Sequence, residues 1–155
     1  MTSAFLTKDF SDFCAQRDAQ NTIQLNVTKW TFMLCDALRQ NYIDRSIKSH
    51  QHSFEIADND RDLTYHAACI EDLKNGHCGV DFIFESGNKY HKVIYIDSSG
   101  SRSVHCFIDK KTGEVYKSAT WKSPAKGVRF DLRIIEQREW LFQHADWAGG
   151  YLYKR

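Results

Sequence analysis

Cysteine and histidine are the residue types in this sequence that could act together as nucleophile and base. Cys106 could pair with His91, and Cys78 could pair with His66, because an adjacent imidazole can generate the thiolate of a cysteine hydrolase. His105 precedes Cys106, but neighbouring strand residues point to opposite faces, so these two are not expected to act together. No motif marks an oxyanion hole or an orienting group. A Cys/His hydrolase is therefore our third interpretation, and no catalytic residue is assigned.

Four side chains that could bind a metal ion lie close together in the sequence. A zinc site would require them to converge as a tetrahedron. However, two of them are adjacent and would point to opposite faces of a strand, which makes joint ligation unfavourable. We therefore expect neither a metal ion nor a cofactor. The four residues are His66, Cys69, His77 and Cys78.

Basic and aromatic residues between positions 110 and 129 form the stronger candidate for a functional surface. Residues 100–130 contain seven Lys or Arg residues against two acidic residues, on a chain whose net charge is +1. Such a local excess indicates an anionic partner. Cations beside aromatic rings suit a phosphate backbone with stacked bases. The candidate binding residues are Lys110, Lys111, Lys117, Trp121, Lys122, Lys126 and Arg129.

Further aromatic and basic side chains lie on predicted strands and could extend this surface. An open antiparallel sheet with exposed rings is one way in which proteins bind single-stranded nucleic acid. About half of these rings must instead face the helices and fill the core. The residues concerned are Tyr90, Lys92, Tyr95, His105, Phe107 and Tyr116.

Length and composition are those of one globular domain, predicted to span residues 1–155. No apolar run is long enough for a transmembrane helix, and the first residues lack the pattern of a signal peptide. The five cysteines are odd in number and irregularly spaced, which favours reduced thiols. We therefore expect a cytoplasmic protein that does not contact a membrane.

Helical periodicity dominates the first half of the chain. Residues 8–20 predict a short helix with Phe10, Phe13 and Cys14 facing inward. Residues 22–46 predict a longer helix. Its apolar stripe contains Ile23, Val27, Trp30, Leu34 and Leu38.

A break and a third helix are predicted to follow. Residues 48–59 break the helical pattern, and Phe54 and Ile56 alternate with polar neighbours, which predicts a short strand or extended link. A further helix is then expected to begin at Asp58, Asn59 or Asp60 as its cap, and to end at residues 75–76, where an asparagine and a glycine follow the last apolar position.

The second half of the chain changes to a two-residue period. Residues 109–113 predict a tight turn that closes on a glycine with positive φ. After residue 131, an aspartate that could act as the cap, a last helix is expected over residues 132–147. The predicted strands are residues 78–85, 89–97, 102–108 and 114–118, with a short edge strand at residues 128–130.

This order of elements predicts an α+β fold. N-terminal helices and a C-terminal helix would pack on one face of a four- or five-stranded antiparallel β-meander. The opposite sheet face would be left to solvent or to a partner.

Two segments resemble known families. Over about residues 60–118, the helix and strands ending in F-I-D-K-K-T-G-E-V-Y resemble a PepSY repeat. The segment K-Y-H-K-V-I-Y-I, followed by S-V-H-C-F-I-D-K-K-T-G-E-V-Y-K-S-A-T-W-K-S-P-A-K-G-V-R, resembles small uncharacterised proteins of tailed bacteriophages. The second resemblance implies a viral origin and a role inside a bacterial host or in the virion. It implies no activity.

Together these features favour a non-enzymatic accessory protein of the phage type. It would act through a protein–protein interaction surface, directed at the host or used in virion assembly, with a host or phage protein as its partner. The first alternative is a nucleic-acid-binding protein that uses residues 110–129. Self-association into a homo-oligomer is left open. The expected location is the bacterial cytoplasm or the virion.

Overall fold

The structure is a computed structural model that describes residues 2–153, with side chains described from residue 10 onward. It has the predicted α+β class. None of the described helices combines the length and apolarity of a membrane span. The elements are α1 (Thr2–Ile56), α2 (Asp60–Lys74), β1 (Asp81–Ser86), β2 (Tyr90–Ile96), β3 (Arg102–Asp109), β4 (Glu114–Ser118), β5 (Pro124–Asp131), α3 (Ile135–His144) and a short 3-10 helix (Gly150–Tyr153).

A single helix, α1, replaces two predicted helices and the predicted extended link. It runs without interruption for 55 residues. The separate helices expected over residues 8–20 and 22–46, and the strand or link at residues 54–56, are therefore wrong. The physical reason is that no glycine or proline occurs between residues 2 and 56, so no residue type in this stretch strongly breaks the helix.

The predicted apolar stripe of α1 is confirmed. Val27, Leu34 and Leu38 are completely buried, and Ile23 and Trp30 pack against the same core. Burying a side chain of this size contributes about 1.5–3 kcal/mol. The stripe therefore fixes α1 to the sheet.

The part of α1 before Ile23 is exposed, contrary to prediction. Phe10 and Phe13 are 69% and 54% exposed, and Cys14 is exposed as well. Residues 10–22 have no buried position among them. We call residues 10–22 the overhang of α1, because this stretch lies before the first residue that packs on the core.

Helix α2 begins and ends where the sequence predicts. The side chain of Asn59 accepts a hydrogen bond from the backbone N–H of Asp62, so Asn59 is the cap. The helix ends at Lys74, followed by Asn75 and by Gly76 with φ of 85°. Leu73 is the buried residue of α2. Asp60 and Asp62 lie in the first turn, where negative charge is favourable at the helix N-terminus.

The strands form a five-stranded antiparallel meander in the order β1-β2-β3-β4-β5, as predicted. One face packs against α1 and α3, and we call the opposite face the outer face. The predicted turn is confirmed, because Gly113 has φ of 75°. Edge strand β5 is longer than predicted. Core residues on the helix side of the sheet are Phe82, Val93, Cys106, Ile108, Val115 and Phe130.

A β-bulge in β3 changes where His105 points. Val93 pairs with Cys106, and Ile94 pairs with Val104, so His105 is the extra residue. Cys106 lies in the core, and the His105 ring lies 5.6 Å from the core ring of Phe82. Both side chains therefore face the helix layer. The prediction that they point to opposite faces is wrong, because it assumes an unbroken pleat.

The C-terminal helix α3 is shorter than predicted, and its predicted cap is wrong. Asp131 still belongs to β5, where it pairs with Glu114, and its carboxylate binds Arg133. The helix starts after Ile134, which makes no side-chain cap bond. Beyond α3 the chain returns, and Tyr151 and Leu152 are buried in the core.

Candidate functional site

The candidate binding residues divide between the two faces of the sheet. Trp121 and Lys122 lie in the β4–β5 loop, residues 119–123, which folds across the outer face. Lys117 pairs with the core residue Cys106, and its Nζ lies 4.6 Å above the ring of Tyr153. Lys117 is therefore on the helix side, and the predicted set does not form one surface.

Trp121 is held over the outer face by cations from two strands. The Nζ of Lys92 lies 4.4 Å from the centre of the indole, and the guanidinium carbon of Arg102 lies 6.0 Å away. Such contacts contribute about 0.5–1 kcal/mol each at exposed sites. Trp121 is nevertheless 43% exposed, so part of the indole is accessible to a partner.

The loop that carries Trp121 is fixed by its own hydrogen bonds. The hydroxyl of Thr120 accepts bonds from the backbone N–H groups of Lys122 and Ser123. The carbonyl of Ser123 accepts a bond from the N–H of Ala119, which closes the loop. The loop conformation is therefore set locally by polar residues, as in many turns.

A cleft of about 320 Å³ lies beside Trp121, between the β4–β5 loop and the β1–β2 turn. Lys110 borders it, because its Nζ donates a 2.8 Å hydrogen bond to the carbonyl of Gly87 in that turn. We call this the outer-face cleft. Its lining includes Glu85, Lys89, Tyr90, Lys92, Phe107 and Lys122.

The charge of the outer-face cleft is strongly positive. Glu85 is the acidic residue of the lining, and it forms a 2.6 Å ion pair with Arg102. Because Glu85 is already paired with Arg102, the described lining offers no further carboxylate that could neutralise its lysines or Lys110. Low-dielectric walls concentrate such a field and attract anions.

Aromatic rings continue across the outer face from the cleft. Tyr90 packs edge-on against Phe107 and Tyr116, with ring centres 5.7 and 6.0 Å apart. Val128 pairs with Tyr116 and is exposed at the edge strand. The face therefore combines cations with a continuous apolar surface.

Three other predicted residues do not line the outer-face cleft. Lys111 is exposed in the β3–β4 turn, at the opposite end of β4, and Lys126 is exposed on β5. Arg129 is the unpaired residue of a second bulge, between Val128 and Phe130. Its Nε is buried and, among the residues described, has no hydrogen-bond partner.

Sequence reasoning missed part of the outer-face cleft. Lys89 lies outside the predicted set of binding residues. Arg102 belongs only to the basic segment of residues 100–130. The register brings Lys92, Phe107 and Tyr116 side by side across three strands. Turn length could have predicted this alignment, because a tight hairpin turn fixes which residues face each other.

The predicted Cys–His pairs are not formed. His91 is buried, with hydrogen bonds to Thr28 and Ser86 at 3.2 and 2.7 Å. Burial, and secondarily the charge of Lys110, lowers the pKa of His91 to about 4. Burial raises the pKa of the Cys106 thiol well above its ordinary value, so it is not activated as a thiolate.

The second predicted pair is also separated. The thiol of Cys78 donates to the carbonyl of Val80, whereas the Nδ1 of His66 lies 2.9 Å from the Nδ1 of His50. Cys69 and His77 line a cleft of about 200 Å³ with Cys78. Across the part of the chain that the structure describes, no three metal-capable side chains are placed to hold an ion.

Comparison with known proteins places the chain in a family. No curated protein and no solved structure gives a significant match. A family model described as a family of unknown function, DUF7717, matches residues 10–154, which is nearly the whole chain. This protein therefore belongs to the DUF7717 family.

Proposed function

We propose that this protein is a non-enzymatic binding protein whose outer face takes single-stranded nucleic acid. The observation that carries the proposal is the half-exposed indole of Trp121, supported by Lys92 and Arg102 and placed beside the outer-face cleft. A stacking ring next to a cationic groove is the usual arrangement of single-strand binders.

Electrostatics supplies the first part of the argument. Lys89, Lys92, Lys110 and Lys122 surround or border the cleft, and its carboxylate is paired with Arg102. Four neutralised phosphates would release counterions, so affinity should fall with salt at a slope of roughly 0.7 per phosphate contact.

Stacking supplies the second part. An unpaired base stacked on an aromatic ring contributes about 1–3 kcal/mol, and every base offers such a face. A base within a duplex does not present its face, so the accessible indole of Trp121 favours single strands. For this face, we therefore favour nucleic acid over the protein partner that the sequence suggested first.

The test is fluorescence anisotropy with a labelled single strand of about 16 nucleotides. Affinity should fall roughly 50-fold between about 50 and 200 mM salt if four phosphates are contacted. Trp121→Ala should weaken binding by about 10- to 100-fold, while Trp121→Phe should retain most of it. Lys122→Glu should weaken binding and reduce the salt slope.

Lys117→Glu is the matched control, because it makes the same charge change on the helix side of the sheet. It should leave the affinity nearly unchanged. Binding that is undetectable or independent of salt would contradict the proposal. If polyglutamate competes as well as the single strand does, and depends on the same residues, the face belongs to an acidic protein partner instead.

A second candidate function is supported by the overhang of α1. Phe10 and Phe13 are exposed there, and Leu25 and Phe32 are exposed further along the helix. Exposed apolar residues of this density mark protein–protein contacts. The overhang would then bind a host or phage protein, or a second copy, in the bacterial cytoplasm or the virion, as the phage resemblance implies.

A further inference from the structure

A second cleft lies on the helix side of the sheet, away from Trp121. It has a volume of about 320 Å³ and opens between the ends of β3 and β4 and residues 147–153. This size is at the small end of ligand sites in proteins. We call it the C-terminal cleft. The residues that matter for its chemistry are Tyr95, His105, Lys117, Trp147 and Tyr153.

His105 forms the polar floor of the C-terminal cleft. The bulge in β3 turns its ring inward, so the residue is only 8% exposed. Its Nε2 is held by the hydroxyl of Tyr151 at 2.6 Å. Its Nδ1 has no hydrogen-bond partner among the described residues. This nitrogen is also not fully buried by them.

Gly149 leaves the inner edge of the His105 ring accessible. Gly149 has φ of 84°, a backbone conformation that residues with a side chain rarely adopt. A Cβ at this position would lie 3.6 Å from Cε1 and 3.9 Å from Nδ1 of His105, in contact with that edge. The missing side chain therefore keeps one ring nitrogen available to a ligand.

Aromatic rings form the walls of the cleft. Tyr95 and Trp147 lie with ring centres 5.9 Å apart, and Trp147 also packs edge-on against Tyr42 of α1. The backbone N–H of Trp147 donates to Asn41, which anchors this wall to α1. Rings fixed in this way before a ligand arrives favour a flat ligand that can stack on them.

Among the residues that the structure describes, Lys117 is the cation of the rim. It lies over the ring of Tyr153, and the described lining of the cleft contains no carboxylate. Asp146 is not part of this lining, and its carboxylate accepts the N–H of Gly150. One ammonium group matches one negative charge, which fits a carboxylate better than a doubly charged phosphate.

We propose that the C-terminal cleft binds a small planar aromatic carboxylate. The ring stacks against Tyr95 and Trp147, the carboxylate pairs with Lys117, and a polar atom of the ligand hydrogen-bonds to Nδ1 of His105. This site is independent of the outer face, so its ligand does not compete with nucleic acid.

Indole-3-carboxylate is the probe for this proposal, with indole-3-carboxamide as its uncharged control of the same shape. Binding is measured by calorimetry and by the ¹⁵N resonances of the His105 ring. The carboxylate should bind and shift these resonances, and the carboxamide should bind at least about tenfold more weakly, because it lacks the charge that pairs with Lys117.

Lys117→Gln should weaken binding of indole-3-carboxylate by at least about tenfold, because the carboxylate loses its ion pair. Lys111→Gln, in the exposed β3–β4 turn at the opposite end of β4, is the matched control and should have no effect. Lys117 is partly exposed, so its replacement should not prevent folding. The proposal is overturned if the carboxylate leaves the His105 resonances unchanged at millimolar concentration. Equal affinity for the carboxamide, or for the Lys117→Gln protein, overturns it as well.

Discussion

Two buried histidines show how burial controls single residues in this protein. Burial lowers the pKa of both His91 and His105 to about 4, against an ordinary value of 6.5. Lys110 lowers the pKa of His91 further, whereas Asp146 partly opposes the shift at His105. Hydroxyl groups hold the neutral rings: Thr28 and Ser86 contact both nitrogens of His91, and Tyr151 contacts Nε2 of His105.

We expect the free energy of unfolding to fall as pH decreases from 6.5 to about 4. In this window the unfolded chain binds protons at both histidines, while the folded chain does not, so acid favours unfolding. One pKa unit corresponds to about 1.4 kcal/mol, and the combined loss should be about 2 kcal/mol or more. Urea unfolding at several pH values measures it.

His91→Gln should flatten this pH dependence, because one of the two titrating groups is gone. His52→Gln, at an exposed position of α1, is the control and should leave the slope unchanged. A His91→Gln protein with the full slope would show that folding does not lower the pKa of His91.

Single residues of the candidate surface were predicted only in part. The sequence indicated Trp121 and Lys122, but not all of the residues that line the outer-face cleft beside them. Local composition reveals an excess of positive charge, because charge is a property of each residue. It does not reveal that Lys117 points away from Trp121, or that Glu85 is paired with Arg102. Those facts depend on strand register, which is set by contacts distant in sequence.

Elements with strong local signals were predicted well. Helix α2 has a cap, an apolar periodicity and a terminating glycine, and all three are in consecutive sequence. Strand β4 was predicted with its observed bounds, because the turn before it has unmistakable turn chemistry. The error in α1 has the opposite origin, because the strong apolar stripe starts only at Ile23, although no glycine or proline before it prevents a helix.

Asn59→Ala should lower the free energy of unfolding by about 1 kcal/mol, because the N–H of Asp62 loses its capping acceptor. Chemical denaturation monitored by circular dichroism measures the change. Asn59→Asp retains an acceptor and should restore most of the loss. Equal destabilisation by both variants would indicate that the cap bond contributes little.

Two of the bulges could not be predicted from local sequence. Each inserts one residue into a ladder, at His105 in β3 and at Arg129 in β5, and neither inserted residue is glycine or proline. The reason is global, since the bulge lets two neighbours, His105 and Cys106, both face the helix layer. The C-terminal cleft depends on this rearrangement, so it was not predicted either.

For the molecule as a whole, stability resides in the core shared by α1, the sheet, α3 and the C-terminal residues. The overhang of α1 adds no buried residue to that core. The α+β class could be predicted because the periodicity changes from helical to two-residue spacing halfway along the chain. The part of α1 before its packed stripe could not be predicted from core periodicity, because none of residues 10–22 is buried.

A variant that begins at Asn21 should unfold within about 2 °C of the full chain, because exposed residues contribute little to stability. Thermal unfolding followed by circular dichroism measures this. If the overhang mediates self-association, sedimentation velocity should show a larger species for the full chain and a monomer for the shortened one. Phe10→Ser combined with Phe13→Ser should act like the truncation.

A large drop in melting temperature would show that the overhang packs on the rest of the protein. A full chain that is monomeric at all concentrations would contradict self-association through the overhang. Either result leaves the outer face to be tested separately with oligonucleotides, since Trp121 and its supporting cations lie on the sheet.

The uninterrupted course of α1 has a geometric consequence. Phe10 precedes Ile23, where packing begins, by thirteen residues, which at 1.5 Å per residue places it about 20 Å beyond the packed part of the helix. A partner that binds the helix at Phe10 would therefore leave the sheet accessible. The two proposed binding surfaces, the overhang of α1 and the outer face of the sheet, therefore do not exclude each other: a ligand on one leaves the other accessible.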